Sequence, residues 1–253
     1  MMHRASSAIA AIAMCALACD GRTPTAADGV TADAPTTAAP TADVHLSPVF
    51  DPSSFVPTIT NPYLPHVPGT LFRLRSETPD GIEINLIRVT RQTKKILNVN
   101  TTVVHDQVFL DGELTEDTFD WEAQDGQGNV WYFGEDSKEL ENGVVVSTQG
   151  SWQAGAGGAH PGVIMPAHPR TGQHYVQEDA PDVAEDRAMV LSTKSTVDVP
   201  FGHFTGCVQT QEWSVLEHGD REHKFYCPGT GLVEEVQPAH GRITNQLLSI
   251  THF

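Results

Sequence analysis

The sequence predicts an all-β domain, an antiparallel meander forming a barrel or a strongly curved half-barrel, with a β-sandwich as the alternative. Three observations carry this. From residue 55 to residue 253, short runs rich in Val, Ile, Thr and aromatics alternate with turn dipeptides. No stretch keeps helical periodicity for long, the best prospect being a short turn at 183–189. The run 82–90 changes apolar phase, from Ile82, Ile84 and Leu86 to Ile87 and Val89, as a β-bulge or a strand crossing between two faces would produce. Long meandering strands of this kind favour closure or strong curvature.

In chain order, the N-terminus comes first. Arg4 precedes an apolar stretch at 8–18 that ends in Ala16-Leu17-Ala18 before Cys19, the layout of a signal peptide occupying residues 1–18. Ala16-Leu17-Ala18-Cys19 resembles the lipobox of bacterial lipoproteins, which implies lipidation of Cys19 and attachment to a membrane through that lipid. Several acyl chains hold firmly, since each buried methylene contributes ~0.8 kcal/mol. The apolar stretch is too short to span roughly 30 Å of hydrocarbon. Residues 19–54 are dominated by Ala, Thr, Pro and Asp and read as a disordered tether. Residues 55–253 then form one domain.

Within that domain the turns are Pro79-Asp80-Gly81, Asp111-Gly112, the stretch 125–128, Asn142-Gly143, Pro200-Phe201-Gly202, His218-Gly219 and Pro228-Gly229-Thr230-Gly231. They bound strands at 71–77, 82–90, 101–110, 114–123, 129–135 and 204–216, among others. The Gly- and Pro-rich stretch 153–172 reads as a long loop. In an oxidising compartment Cys207 and Cys227 suggest a disulfide, with two buried thiols as the alternative. A two-residue turn at His218-Gly219 misaligns them, so direct pairing requires a bulge or a turn centred near Glu217.

The formal net charge is −17, and removing residues 1–18 takes away Arg4 and no acid, which makes it −18. Such a charge argues against nucleic acid and bare anionic headgroups as partners, and leaves cations and neutral ligands such as sugars or lipids. No nucleophile elbow, zincin helix, phosphate loop or dinucleotide fingerprint is present, so no catalytic residue is specified. No zinc spacing occurs either. His160, Met165, His168 and His174 match no known metal spacing and read as solvated loop residues. The stretch 125–136 only loosely echoes a calcium loop, because Val130 stands where Gly is needed.

A hairpin symmetric about 125–128 sets Trp121 opposite Tyr132, Phe119 opposite Gly134 and Asp117 opposite Asp136. Asp117, Phe119, Trp121, Tyr132 and Asp136 then share one face, which makes them the candidate ligand surface. Asp120, Glu122, Trp131, Phe133 and Glu135 take the other. The runs Glu116-Asp117-Thr118-Phe119-Asp120-Trp121, Asn129-Val130-Trp131-Tyr132-Phe133-Gly134-Glu135-Asp136, Ile164-Met165-Pro166-Ala167 and Tyr226-Cys227-Pro228-Gly229-Thr230-Gly231-Leu232-Val233 resemble a family of uncharacterised bacterial secreted proteins and lipoproteins. That resemblance implies a self-contained exported module and carries no activity. The functional expectation is a cell-envelope lipoprotein binding a neutral or cationic ligand. The alternatives are a hydrolase or lyase working through Asp and Glu, with His105 beside Asp106, and a scaffolding lipoprotein.

Overall fold

The computed structural model describes residues 44–217, 219, 221–237 and 243–253. The signal peptide, Cys19 and the tether as far as residue 43 lie outside the described residues. The first strands are β1 (Val44–Leu46), β2 (Phe55–Val56), β3 (Thr70–Thr78), β4 (Gly81–Ile96), β5 (Val99–Leu110) and β6 (Glu113–Asp125). Next come β7 (Val130–Glu141), β8 (Val144–Ser147), β9 (Trp152–Gln153), β10 (His160–Met165), β11 (Gln173–Val176) and β12 (Glu178–Asp179). The last are β13 (Asp186–Val199), β14 (Gly202–Ser214), β15 (Glu222–Cys227), β16 (Gly231–Gln237) and β17 (Ile243–His252). Among the described residues no helix is long and apolar enough to cross a membrane.

The pairing follows the expected meander. From β3 the antiparallel ladder runs through β4, β5 and β6 to β7. In the other direction it runs from β3 to β17, β16, β15, β14, β13 and β11. β10 pairs with β7 on one side and with β12, just beyond β11, on the other. The ladder thus comes back round, and the curved sheet is barrel-like with an inner and an outer face. Residues 59–68 lie across one end: the Thr60 and Asn61 amides donate to Gln124 Oε1, and Gly229 N donates to Pro62 O.

Three expectations need correction. Residues 44–54, expected in the tether, are part of the fold: β1 pairs in parallel with β11 and Asp51 caps a 3-10 turn at Pro52–Ser54. Phe50 packs edge-on against Trp131 and Phe133. Of the turn expected at 183–189 only the start is one, with the Val183 and Ala184 amides donating to Ala180 O. From Asp186 the chain is β13, whose Arg187, Ala188 and Met189 are paired on both sides, and sheet pairing there outweighs weak local preference. The 153–172 loop contains β10, anchored on β7 by the pairs Gly162 with Tyr132 and Val163 with Trp131.

The Cys207–Cys227 disulfide is formed, with its Cα atoms 4.2 Å apart. Val208 faces Tyr226 and Glu212 faces Glu222 in the β14–β15 ladder, which centres the turn at Glu217 and brings the cysteines opposite each other. Both are fully buried beside Leu74, Val89 and Leu247.

An acid-lined interior as the candidate functional site

The inner wall departs from the usual alternation. On β4, Ile82 points outward at 46% exposure while Glu83 and Asn85 are buried. The same holds around the ladder, where Asp106, Glu116, Asp120, Glu122, Glu135, Glu178, Glu212 and Glu235 are all buried on the inside. With Glu83 and the turn residue Asp125, ten of the chain's 32 carboxylates are buried. Such a wall costs free energy unless each group is paired or neutralised by a proton.

The β6–β7 hairpin sets much of this geometry. Asp125 accepts hydrogen bonds from the amides of Gln127 and Asn129, from Asn129 Nδ2 and from Trp131 Nε1, all at 2.8–2.9 Å. The carboxylate thus organises the turn and has no oxygen to spare for calcium, while Asn129 Oδ1 is occupied by the Ala167 amide. Among the described residues no group of three His, Cys, Asp or Glu is placed to hold a metal ion. Near the turn Glu122 faces Tyr132, and farther along Asp120 faces Glu135. The extra residue is taken up at Gly134, whose φ of +116° suits glycine and where a Cβ would sit 2.2 Å from Trp152 O.

The symmetric register fails in two steps: from the turn onward Glu122 rather than Trp121 faces Tyr132, and the bulge adds one further residue of shift. Phe119 faces Asp136 rather than Gly134, and Asp117 faces Lys138 rather than Asp136. Of the five expected ligand residues only Tyr132 is on the inner wall; Asp117, Phe119, Trp121 and Asp136 belong to the outer face. There His105 stacks on Phe119 at 4.2 Å and its Nε2 lies 2.7 Å from Asp117 Oδ1, while Lys94 Nζ lies 3.1 Å from the Trp121 ring centre. His105 and Asp106 point to opposite faces, so the acid–base pairing considered for them does not form; Asp106 instead accepts from Asn85 Nδ2.

Tyr132 is the hub of the inner wall, its hydroxyl 2.7 Å from both Asp120 Oδ1 and Glu135 Oε2. A phenol has one proton to donate, so the second short contact needs a proton on a carboxyl. Burial, reinforced by Glu178 and Asp120, holds the Glu135 pKa well above the carboxylate range. The bond therefore runs from protonated Glu135 to the Tyr132 oxygen and from Tyr132 to Asp120. Beyond Asp120, His66 Nδ1 lies 2.6 Å from Glu122 Oε2. Burial opposes the charged imidazole, but Glu122 and Asp120 outweigh it and raise its pKa.

Glu178 stands apart. It is 1% exposed, and neither carboxyl oxygen has a hydrogen-bond partner. Glu135 Oε1 is likewise buried and unpaired, while the buried Trp152 indole N–H lies near enough to Glu178 to favour its charged form without reaching hydrogen-bond geometry. Burial pushes the Glu178 pKa up strongly and Asp186 adds to the effect. Farther round the ladder, on β15, Lys224, 3% exposed, lies 3.2 Å from Glu212, 3.4 Å from Glu235 and 3.7 Å from Glu222. Burial, with Glu235 adding to it, raises Glu83 to about 7, and burial raises Glu116 to about 8. Sequence reasoning missed most of this wall, although Glu83, Asn85 and Glu116, Thr118, Asp120, Glu122 show an every-second-residue polar pattern that could have marked it.

No protein-family model matches the chain, and no characterised protein matches it in sequence. Three solved structures share features of its fold. A Bacteroides fragilis protein classed as exported, with a YmcC-like fold, is 16% identical with a TM-score of 0.44, over 74% of this chain and 98% of the other. A protein from Parabacteroides distasonis classed as a lipoprotein is 10% identical with a TM-score of 0.40, over 75% and 98%. A β-barrel-like domain of unknown function from Brucella abortus is 11% identical with a TM-score of 0.36, over 73% and 96%. Nothing about chemistry is carried across these likenesses.

Proposed function

We propose that this chain is an exported, lipid-anchored protein of the bacterial envelope whose barrel-like domain holds a compact cationic ligand between Glu135 and Glu178. The anchor reading is supported by the signal-peptide layout and Cys19. The ligand reading rests on one observation: Glu178 buries two carboxyl oxygens without a partner, beside a second unpaired oxygen on Glu135. An unmade hydrogen bond at a buried polar group costs about 1–3 kcal/mol, so a bound ammonium or similar N–H donor would recover that cost. Calcium fits less well, because it takes six to eight oxygen ligands and no such cage is gathered here. The phenol shared by Asp120 and Glu135 favours, as a second reading, general acid–base chemistry by that pair.

Native mass spectrometry of the protein purified from its own host tests the ligand. The wild type should retain a small cationic mass at neutral pH, and Glu178→Gln should lose it. Identical bare masses for both would overturn the binding reading. Acid–base catalysis would instead show as turnover of an envelope polymer abolished by Asp120→Asn while the retained mass is unchanged. Cys19→Ser should move the protein from the membrane to the soluble fraction; retention after a salt wash would reject the lipid anchor.

A further inference from the structure

The outer wall carries a feature that formal charge conceals. Six of the chain's fifteen Lys and Arg residues lie at 73, 75, 88, 91, 94 and 95, on the neighbouring strands β3 and β4. The register places Arg73 beside Leu86 and Arg88 beside Leu71 on the outer face. Ile82 is 46% exposed on the same face, and Phe253, 52% exposed, lies under the Arg88 and Arg91 guanidiniums at 5.0 and 5.6 Å. Among the described residues Arg75 pairs with Glu77 at 2.7 Å and Arg91 donates to the main-chain oxygen of the last residue, Phe253, at 2.8 Å, while Arg73, Arg88 and Lys95 have no carboxylate within ion-pairing distance. Lys94 is turned onto Trp121 instead.

We propose that this face is a docking surface for an anionic lipid bilayer. The sequence-level objection, that an acidic chain is repelled by anionic headgroups, treats every carboxylate as surface charge. Ten of the 32 are inside, where several hold protons, and they contribute much less to the field outside. Acids do lie on this outer face, Glu77 beside Arg75 and Asp136 near Lys94, but Arg73 and Arg88 project without a carboxylate in ion-pairing distance, and charges farther off than ~8 Å are screened by salt. Basic side chains interleaved with the exposed Ile82 and Phe253 and the half-buried Leu71 and Leu86 match a headgroup region, where cations meet phosphates and apolar groups enter the acyl boundary. A nucleic acid would use the charges and leave the apolar side chains in water. The described chain starts at β1, across the ladder from β3, and the roughly 25 residues back to Cys19 can span at most ~85 Å. That exceeds the width of a domain with a radius of gyration of about 16 Å, so a lipidated Cys19 and this face can meet one bilayer together. The proposal is independent of what the interior holds.

The test uses the mature chain made soluble by Cys19→Ser, floated with vesicles of phosphatidylcholine alone or mixed with phosphatidylglycerol. Binding should need phosphatidylglycerol and fall with added salt. Each basic residue near such a surface contributes about fivefold, so the triple variant Arg73→Gln, Arg88→Gln, Arg91→Gln should partition about a hundredfold less well. Arg73→Glu, a single exposed change that leaves the Phe253 contacts intact, should cost about thirtyfold and guards against misfolding of the triple variant. The paired changes Arg170→Gln and Lys194→Gln, both exposed and on other strands or loops, should have little effect. Equal flotation with neutral vesicles, no flotation at all, or unchanged flotation of Arg73→Glu would overturn the proposal.

Discussion

Two regions of the interior meet the same electrostatic problem with different means. Around Lys224 the barrel supplies its own counterion: one ammonium faces Glu212, Glu222 and Glu235, and Thr210, Tyr226, Gln237 and Asn245 donate to the remaining oxygens. Burial works against that ammonium, yet Glu212, Glu235 and Glu222 keep its pKa well above the ordinary lysine value. This region is also stapled, since Cys207 and Cys227 join the strands carrying Glu212 and Lys224. Around Glu178 no ammonium is in ion-pairing contact among the described residues; burial raises the carboxyls, with Glu178 and Asp120 adding to it at Glu135 and Asp186 at Glu178, and the more distant Lys224 only partly offsets this at Glu178. The contrast teaches that a buried acid balanced by a cation is a structural element, whereas one balanced only by a proton responds to pH and to any cation that can replace the proton.

The largest expected effect breaks the balanced side. Lys224→Met leaves three buried carboxylates without their cation and should cost about 3–5 kcal/mol in urea unfolding at neutral pH. An unchanged urea midpoint would remove the counterion account. The second test exploits the proton-balanced acids. Glu83 and Glu116, raised to about 7 and about 8, hold protons in the fold that the unfolded chain has released above its ordinary value near 4.5. The folded state binds more protons in that window, so their contribution is fully present below about pH 4.5 and is lost as pH rises through 7 and 8. At ~1.4 kcal/mol per pH unit and group, the change amounts to several kcal/mol. The melting temperature should therefore be higher at pH 5 than at pH 8.5, and the reverse order would contradict the assignment.

A smaller effect is expected from the staple. Replacing both Cys207 and Cys227 with Ala should cost about 3 kcal/mol for a sequence separation of 20 residues, read by denaturation with and without reductant. Smallest of all is Glu178→Gln without ligand. It substitutes a neutral amide for an unpaired acid, so stability at pH 8 should rise by up to ~1 kcal/mol and stay level at pH 5. A fall like that of Lys224→Met would mean that Glu178 is a structural partner, and the contrast between the two regions would fail.

The strands were readable from punctuation. Asp111-Gly112, Asn142-Gly143 and Pro200-Phe201-Gly202 each bound a hairpin in the structure, and the disulfide forms by one of the two routes open to it. The candidate ligand face was not readable, for two reasons. A one-residue offset at the turn moves Tyr132 to the face of Asp120 and Glu122, the insertion at Gly134 reverses the residues after it again, and a two-residue period carries no record of either slip. The alternation in β4 was visible, but its apolar members Ile82, Ile84 and Leu86 face outward. An apolar stripe marks one side of a strand without saying whether that side encloses the core.

By itself, then, the sequence determined the strands and their turns, because Gly, Asn, Asp and Pro govern backbone dihedrals within a few residues. It also determined the cysteine pair available for a bridge, and the acidity of the chain. Only the tertiary structure decided which face of each strand became the interior, how far the carboxylates were withdrawn from solvent, and which lacked a partner. These depend on the curvature of the whole ladder and on residues distant in sequence, such as Glu135 beside Glu178 and Lys224 among Glu212, Glu222 and Glu235, since burial and Coulomb interactions act through space and carry no signature in local sequence.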